Sequence, residues 1–168
     1  TQGPMADKAL EFAKRLRERL NKPVEMSDER LSSSMVEKAL LEGDPHTVLE
    51  GMVLAGYATR ATRGYVFIRC EHWLPIQRTR NAIKQAYELG ILGKNILGSD
   101  FSFDIAVALT GESYVSGEET ALMEAIEGRR AMPRPRPPFP AAVGLWGRPS
   151  NINNVKSYAY VPEIVARG

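Results

Sequence analysis

Two adjacent carboxylates, Glu118 and Glu119, directly follow Gly117 and have the clearest potential for chemistry in this sequence. A Gly-Glu-Glu sequence at a strand-to-helix turn puts negative charge and the free backbone N–H groups of a helix N-terminus at the mouth of an α/β sheet. That arrangement suits a cofactor site. Taken alone, however, two glutamates in a first helical turn simply complement the helix dipole. The surrounding sequence has to decide between these two interpretations.

A basic, proline-rich strip follows the glutamates along the chain. Its arginines are Arg129, Arg130, Arg134, Arg136 and Arg148. A group of arginines can bind phosphate, but arginines on an extended surface segment are usually solvated. Only Arg136 is therefore retained as a candidate ligand of a bound molecule.

The sequence predicts no metal site. His46 and His72 have no histidine or cysteine partner at ligand spacing, so surface or capping roles are expected for both. Cys70 is the only cysteine, which excludes an internal disulfide and any all-cysteine cluster built by this chain alone. We expect Cys70 to be a half-buried thiol rather than a nucleophile, in a reducing, cytoplasmic setting.

The overall charge is close to balanced, with 22 lysines and arginines against 20 acidic residues. A formal net charge of +2 gives no field strong enough to predict nucleic-acid or membrane-surface binding. No apolar run reaches the length of a membrane span, and the N-terminus has no signal-peptide pattern. The predictions are therefore no nucleic-acid partner and no membrane insertion.

The elements that must position these residues alternate between helix and strand. Hydrophobic periodicity and capping residues predict helices over residues 4–21, 35–41, 45–57, 75–89, 117–127 and 151–167, the last interrupted at Pro162. Strands are predicted at residues 24–27, 65–68 and 103–109. This rhythm predicts one α/β domain over residues 1–168, a three-layer sandwich with a mainly parallel sheet. Residues 129–149 should cross its surface as an extended, packed segment.

Several separated motifs carry a family resemblance. They are LEGDPH at residues 41–46, GYVFIR at 64–69, LGKNI at 92–96, YVSGEETAL at 114–122, EGRR at 127–130, PPFPA at 137–141 and NNV at 153–155. In type, order and spacing they resemble the FMN- and NADH-binding domain of the flavoprotein subunit of respiratory NADH dehydrogenases. The resemblance covers about residues 41–168.

The resemblance implies a set of cofactor contacts but no catalytic side chain. On the flavin side it places Tyr114, Gly117, Glu118, Glu119, Ile152, Asn153 and Asn154, and on the NADH side Arg136 and Phe139. A phenyl ring can stack on adenine, and a neighbouring cation can meet the negative charge of a dinucleotide.

Some family features are missing or altered. The glycine-rich loop of the form Gly-Arg-Gly-Gly-Ala-Gly-Phe, which holds the flavin phosphate in the family, does not occur in these 168 residues. Glu112 stands where the family commonly has glycine, Ser116 where it has cysteine, and Lys156-Ser157 where it usually has Glu-Thr. These departures predict that no cofactor binds tightly, with FMN and weakly bound NADH as the candidates.

The first forty residues resemble another family. Residues 1–4, 13–16, 23–24 and 28–33 are similar to the C-terminal half of the RNase H-like Holliday-junction resolvase family, in which the aspartate matching Asp28 is a metal-binding carboxylate. The other carboxylates of that site are absent, and one carboxylate cannot support two-metal chemistry. The two resemblances together predict a chimera of residues 1–40 and 41–168.

The sequence thus predicts an engineered or chimeric α/β protein, derived from an FMN-binding NADH dehydrogenase domain and without turnover on its own. The alternative is an FMN-binding flavoprotein fragment of NADH:quinone oxidoreductase. A nuclease remnant is the second alternative.

Overall fold

The computed structural model describes residues 33–110 and 118–168. Its helices are α1 (Ser33–Gly43), α2 (Pro45–Thr59), α3 (Trp73–Glu88), α4 (Glu119–Ile126) and α5 (Val155–Arg167). Its strands are β1 (Arg63–Arg69) and β2 (Asp104–Thr110), and short 3-10 turns occur at Ile96–Gly98 and Leu145–Gly147. The helix predicted over residues 4–21 and the strand predicted at residues 24–27 lie outside the described residues.

The two strands pair in parallel, with Arg63 opposite Asp104 and Arg69 opposite Thr110. Because successive side chains of a strand point to opposite faces, Val66 and Ile68 share one face and Tyr65 lies on the other. Val66 and Ile68 are buried in the main core. The predicted parallel character of the sheet is confirmed for these two strands.

Helix α2 supplies much of that core because it is apolar on nearly every side. It starts where the sequence predicts, since the carboxylate of Asp44 accepts hydrogen bonds from the Thr47 N–H at 3.2 Å and from the Thr47 hydroxyl at 2.7 Å. Pro45 occupies the first turn, where its missing N–H costs nothing. The buried apolar residues of α2 are Val48, Leu49, Met52, Val53 and Leu54.

Helix α4 packs on the opposite face of the sheet. It contacts β2, and its buried Ala121 and Met123 are not part of the core formed by α2, α3 and the inner strand residues. The 3-10 turn that contacts α4 carries Trp146, whose ring lies 5.6 Å from that of Tyr65 on the same face. Helices therefore cover both faces of a parallel sheet, which confirms the predicted α/β class.

The predicted interruption at Pro162 is wrong, because α5 runs through this residue without a break. Proline has no N–H to donate to the carbonyl four residues earlier, which is that of Tyr158. That carbonyl oxygen lies against Gly51 of α2, 1.9 Å from the position that a Cβ atom on Gly51 would occupy. The absence of a side chain at Gly51 lets α2 and α5 approach closely at this carbonyl.

Within the described residues, no helix is long and apolar enough to cross a membrane.

Thr79 on α3 gives a first testable prediction. Its side chain is fully buried and its hydroxyl has no hydrogen-bond partner within the described residues. Because a buried unpaired hydroxyl costs free energy, we expect Thr79→Val to raise the free energy of unfolding by about 1 kcal/mol. Urea unfolding followed by circular dichroism measures this change, and a loss of stability would contradict the assignment.

Candidate functional site

The candidate site begins at the N-terminus of α4, beyond the carboxyl end of β2. Glu118 is the N-cap of α4, and its Oε2 accepts the backbone N–H groups of Thr120 and Ala121, each at 2.9 Å. The Thr120 hydroxyl donates to the same oxygen. A side-chain oxygen at this position satisfies donors that the first helical turn leaves free. Glu118 is therefore committed to capping through one of its two oxygens.

Arg136 joins both glutamates across the site. Its Nη2 donates to Oε1 of Glu118 at 2.6 Å and to Oε2 of Glu119 at 3.1 Å. The Glu119 side chain is 50% exposed, so it remains accessible to a molecule in solution. Three of the residues that the resemblance assigns to a cofactor thus lie together.

The electrostatics of the site favour the ionised form of Glu118. Burial acts to raise its pKa, but the hydrogen bonds from the Thr120 hydroxyl and from the Ala121 and Thr120 N–H groups, together with the charge of Arg136, outweigh it. The pKa of Glu118 is therefore held below its usual value. An ionised carboxylate keeps both the helix cap and the Arg136 ion pair in place.

An ion-pair network built on a buried carboxylate holds the basic strip against α4. The carboxylate of Glu127 is only 3% exposed, and it pairs with Arg134 at 2.6 Å and with Arg129. Glu124 pairs with the same two arginines. Hydrogen bonds from Arg129, and to a lesser extent from Arg134, hold the pKa of Glu124 below its usual value. The expectation that all arginines of the strip except Arg136 are merely solvated is therefore wrong for Arg129 and Arg134.

Glu127 also holds the far end of the strip. Its Oε1 accepts the backbone N–H of Trp146 at 2.6 Å. Trp146 has a positive φ of 50°, a conformation that residues with side chains rarely adopt. Between these anchors, the ring of Phe139 is 60% exposed. The network therefore presents Phe139 and Arg136 on one supported segment.

The asparagines assigned to the flavin side form a separate group. Asn154 caps α5 by accepting the Lys156 N–H at 2.8 Å, and it also donates to Glu37 of α1. Asn153 donates to Asn151 at 3.0 Å. Ile152 is half-buried beside them. The hydrogen bonds of this group run to α1 and α5, and not to the cluster of Glu118, Glu119 and Arg136.

Tyr114 and Gly117 lie outside the described residues, as do Glu112 and Ser116. Cys70 is exposed and not half-buried, because it follows the last residue of β1 at the sheet edge, where its N–H donates to the Thr110 carbonyl at 3.0 Å. Among the residues described, no group of His, Cys, Asp and Glu side chains could hold a metal ion.

Sequence reasoning missed Thr120, Glu124 and Glu127. All three lie on α4 or at its end, and their partners in the basic strip lie 2 to 19 residues further along the chain. The only local signal was the repeated Glu-Arg composition of residues 124–136, which does not reveal that a carboxylate is buried.

A comparison with protein families matches residues 27–163 to the family described as the Nuo51 FMN-binding domain. The match begins upstream of the boundary predicted at residue 41, so residues 27–40 are also similar to the flavoprotein family. The comparisons give no support to a resolvase-like segment or to an engineered junction.

Curated relatives lead to the same family. The chain is 49% identical over 133 residues to the NADP-reducing hydrogenase subunit HndC of Solidesulfovibrio fructosivorans, covering 79% of this chain and 27% of that protein. It is 44% identical over 142 residues to a subunit of the NADH-quinone oxidoreductase of Escherichia coli (strain K12), covering 84% of this chain and 32% of that one. The chain thus spans a third or less of these relatives.

Solved structures support the fold. A chain in the crystal structure of NAD+-reducing [NiFe]-hydrogenase in the H2-reduced state superposes with a TM-score of 0.69 at 27% identity, covering 97% of this chain and 27% of that chain. A chain in the crystal structure of NAD+-reducing [NiFe]-hydrogenase in the air-oxidized state gives a TM-score of 0.72 at 24% identity, covering 98% of this chain and 32% of that chain.

Proposed function

Because the chain belongs to the Nuo51 FMN-binding domain family, we propose that it forms part of an FMN site in a flavoprotein that exchanges electrons with a nicotinamide nucleotide. The observation that carries this proposal is the cluster of Glu118, Glu119 and Arg136 beyond the carboxyl end of β2. The crevice outside the carboxyl ends of parallel strands is where α/β proteins bind their ligands.

The side chains of the cluster fit this chemistry in different ways. Glu118 is occupied as a helix cap and as a partner of Arg136, so Glu119 is the carboxylate that can accept a hydrogen bond from a flavin ring. Arg136 supplies a positive charge beside a dinucleotide, and Phe139 offers an exposed face for stacking on an aromatic base. FMN, when bound, supplies the hydride and electron transfer that no side chain of this chain supplies.

We propose that ring recognition dominates binding to these 168 residues. The glycine-rich phosphate loop of the family does not occur in them, and phosphate otherwise contributes strongly to nucleotide affinity. FMN should therefore bind weakly, and turnover with NADH is proposed for a longer protein or a complex that contains these residues. Partner subunits are likewise proposed, since the relatives are named as subunits of oxidoreductases. That residues 1–168 fold as a single unit also stays a prediction.

The two other hypotheses from the sequence, an engineered chimera and a nuclease remnant, are less well supported than this proposal. An engineered chimera is less well supported, because the flavoprotein family match begins at residue 27 and runs across the junction predicted at residue 41. A nuclease remnant would need further carboxylates beside Asp28, and Asp28 lies within residues 27–163, which match the flavoprotein family.

Flavin titration tests the proposal. We expect FMN and riboflavin to bind the 168-residue chain saturably with similar Kd values, measured by quenching of flavin fluorescence, because the ring supplies most contacts. Glu119→Ala should raise the Kd about tenfold, as expected for a lost hydrogen bond to a charged group. Glu88→Ala is the matched control, since Glu88 is an exposed glutamate at the end of α3. Absence of saturable binding, or equal effects of the two substitutions, would overturn the proposal.

A further inference from the structure

We propose that Thr120 is a positioning residue. It holds Glu118 and Glu119 in place relative to the segment that carries Arg136 and Phe139. This inference rests on the proposed function and adds a residue to its site. Thr120 lies in the first turn of α4 and is 2% exposed, so its side chain touches protein and not solvent. It is a positioning residue because it acts through Glu118 and Arg134.

The hydroxyl of Thr120 makes two hydrogen bonds of opposite sense. It donates to Oε2 of Glu118, and it accepts the backbone N–H of Arg134 at 2.8 Å. A hydroxyl can serve as donor and acceptor at once, which a purely apolar side chain cannot do. One buried atom therefore bridges the N-terminus of α4 and the backbone of the basic strip.

These bonds close a ring through the site. The Thr120 hydroxyl donates to one oxygen of Glu118, and the other oxygen of Glu118 accepts from the Arg136 side chain. The backbone connects Arg136 to Arg134, and the Arg134 N–H donates to the Thr120 hydroxyl, which closes the ring. Because the ring is closed, a shift of Arg136 relative to Glu118 has to stretch at least one hydrogen bond. Arg136 also donates to Oε2 of Glu119 at 3.1 Å, so a shift of Arg136 alters this contact as well.

Loss of the hydroxyl should loosen this ring without unfolding the domain. In Thr120→Val the Glu118 carboxylate keeps the Ala121 and Thr120 N–H groups, so α4 stays capped. The Arg134 side chain also stays paired with Glu127. The Arg134 N–H alone loses its acceptor, and an unsatisfied donor in a partly buried position favours local opening.

Amide hydrogen exchange of the full chain tests the inference without any ligand. Thr120→Val should speed exchange of the Arg134 N–H at least about tenfold, the factor that follows from about 1.4 kcal/mol of lost stabilisation, and leave the Ala121 N–H unchanged. Thr120→Ser, which keeps the hydroxyl, should restore the wild-type rate. Thr79→Val is the matched control, because it removes a buried threonine hydroxyl that has no partner within the described residues. An unchanged Arg134 rate in Thr120→Val would overturn the inference.

Titration of the same variants with FMN is the second test of the inference. We expect Thr120→Val to raise the Kd for FMN at least about threefold, with Thr120→Ser close to wild type. Wild-type affinity in Thr120→Val would refute a role in the site. If the wild-type chain does not bind FMN, both the proposed function and a positioning role at an FMN site are refuted. The exchange rates would still show whether Thr120 connects α4 to the basic strip.

Discussion

Gly51→Ala should lower the free energy of unfolding by at least about 2 kcal/mol, because overpacking at a tight contact typically costs about 1–3 kcal/mol and here the obstacle is backbone. The Tyr158 carbonyl oxygen lies 1.9 Å, and its carbonyl carbon 2.7 Å, from the position of the new Cβ atom. Neither atom can move away as a flexible side chain would. Helices α2 and α5 would have to separate, which would expose part of the core.

Urea unfolding of the full chain, followed by circular dichroism, measures this loss. The matched control is Gly43→Ala at the end of α1, where a Cβ atom meets nothing within 4 Å. Alanine favours a helix by up to about 1 kcal/mol over glycine, so the control should be neutral or stabilising. If both variants had the same stability, the close approach of the two helices would not exist in solution.

The Gly51 contact also shows why part of the fold could not be predicted from sequence. Local signals predicted the start of α2 at Asp44 and Pro45 and both described strands, because capping and alternation act within a few residues. They failed at Pro162. The Tyr158 carbonyl that this proline leaves without a helical partner is accommodated by a glycine more than a hundred residues earlier, and no pattern near Pro162 reports it.

The candidate site at the N-terminus of α4 was also predicted only in part. The adjacent carboxylates and Arg136 were identified from motifs, and the structure brings them together by ion pairs. Thr120 and Glu127 were missed because their importance comes from burial, which depends on how the basic strip folds back over α4. The composition predicted solvated arginines. In the structure, Glu124 of α4 and Glu127 at its C-terminal end form ion pairs with Arg129 and Arg134.

Glu127 should therefore be the most sensitive carboxylate of this region. We expect Glu127→Ala to lower the free energy of unfolding by about 2 kcal/mol, between the values for exposed and for fully buried ion pairs, because only the carboxylate of the pair is fully buried. The substitution removes one of the two carboxylate partners of Arg134, which keeps Glu124, and it leaves the Trp146 N–H without its acceptor. It also removes a hydrogen bond that supports the positive φ of Trp146, so the strip should detach from α4 before the core unfolds.

Thermal unfolding and limited proteolysis together distinguish these effects. Glu88→Ala is the control, because Glu88 forms an exposed i,i+4 pair with Lys84 and exposed pairs contribute about 0–1 kcal/mol. Cleavage within residues 129–149 should accelerate in Glu127→Ala and stay at the wild-type rate in Glu88→Ala. Glu127→Gln keeps the shape and one carbonyl acceptor, so it should fall between the two. Equal stability of Glu127→Ala and Glu88→Ala would mean that the strip is held by apolar contacts, such as that between Trp146 and Tyr65, and not by the carboxylate.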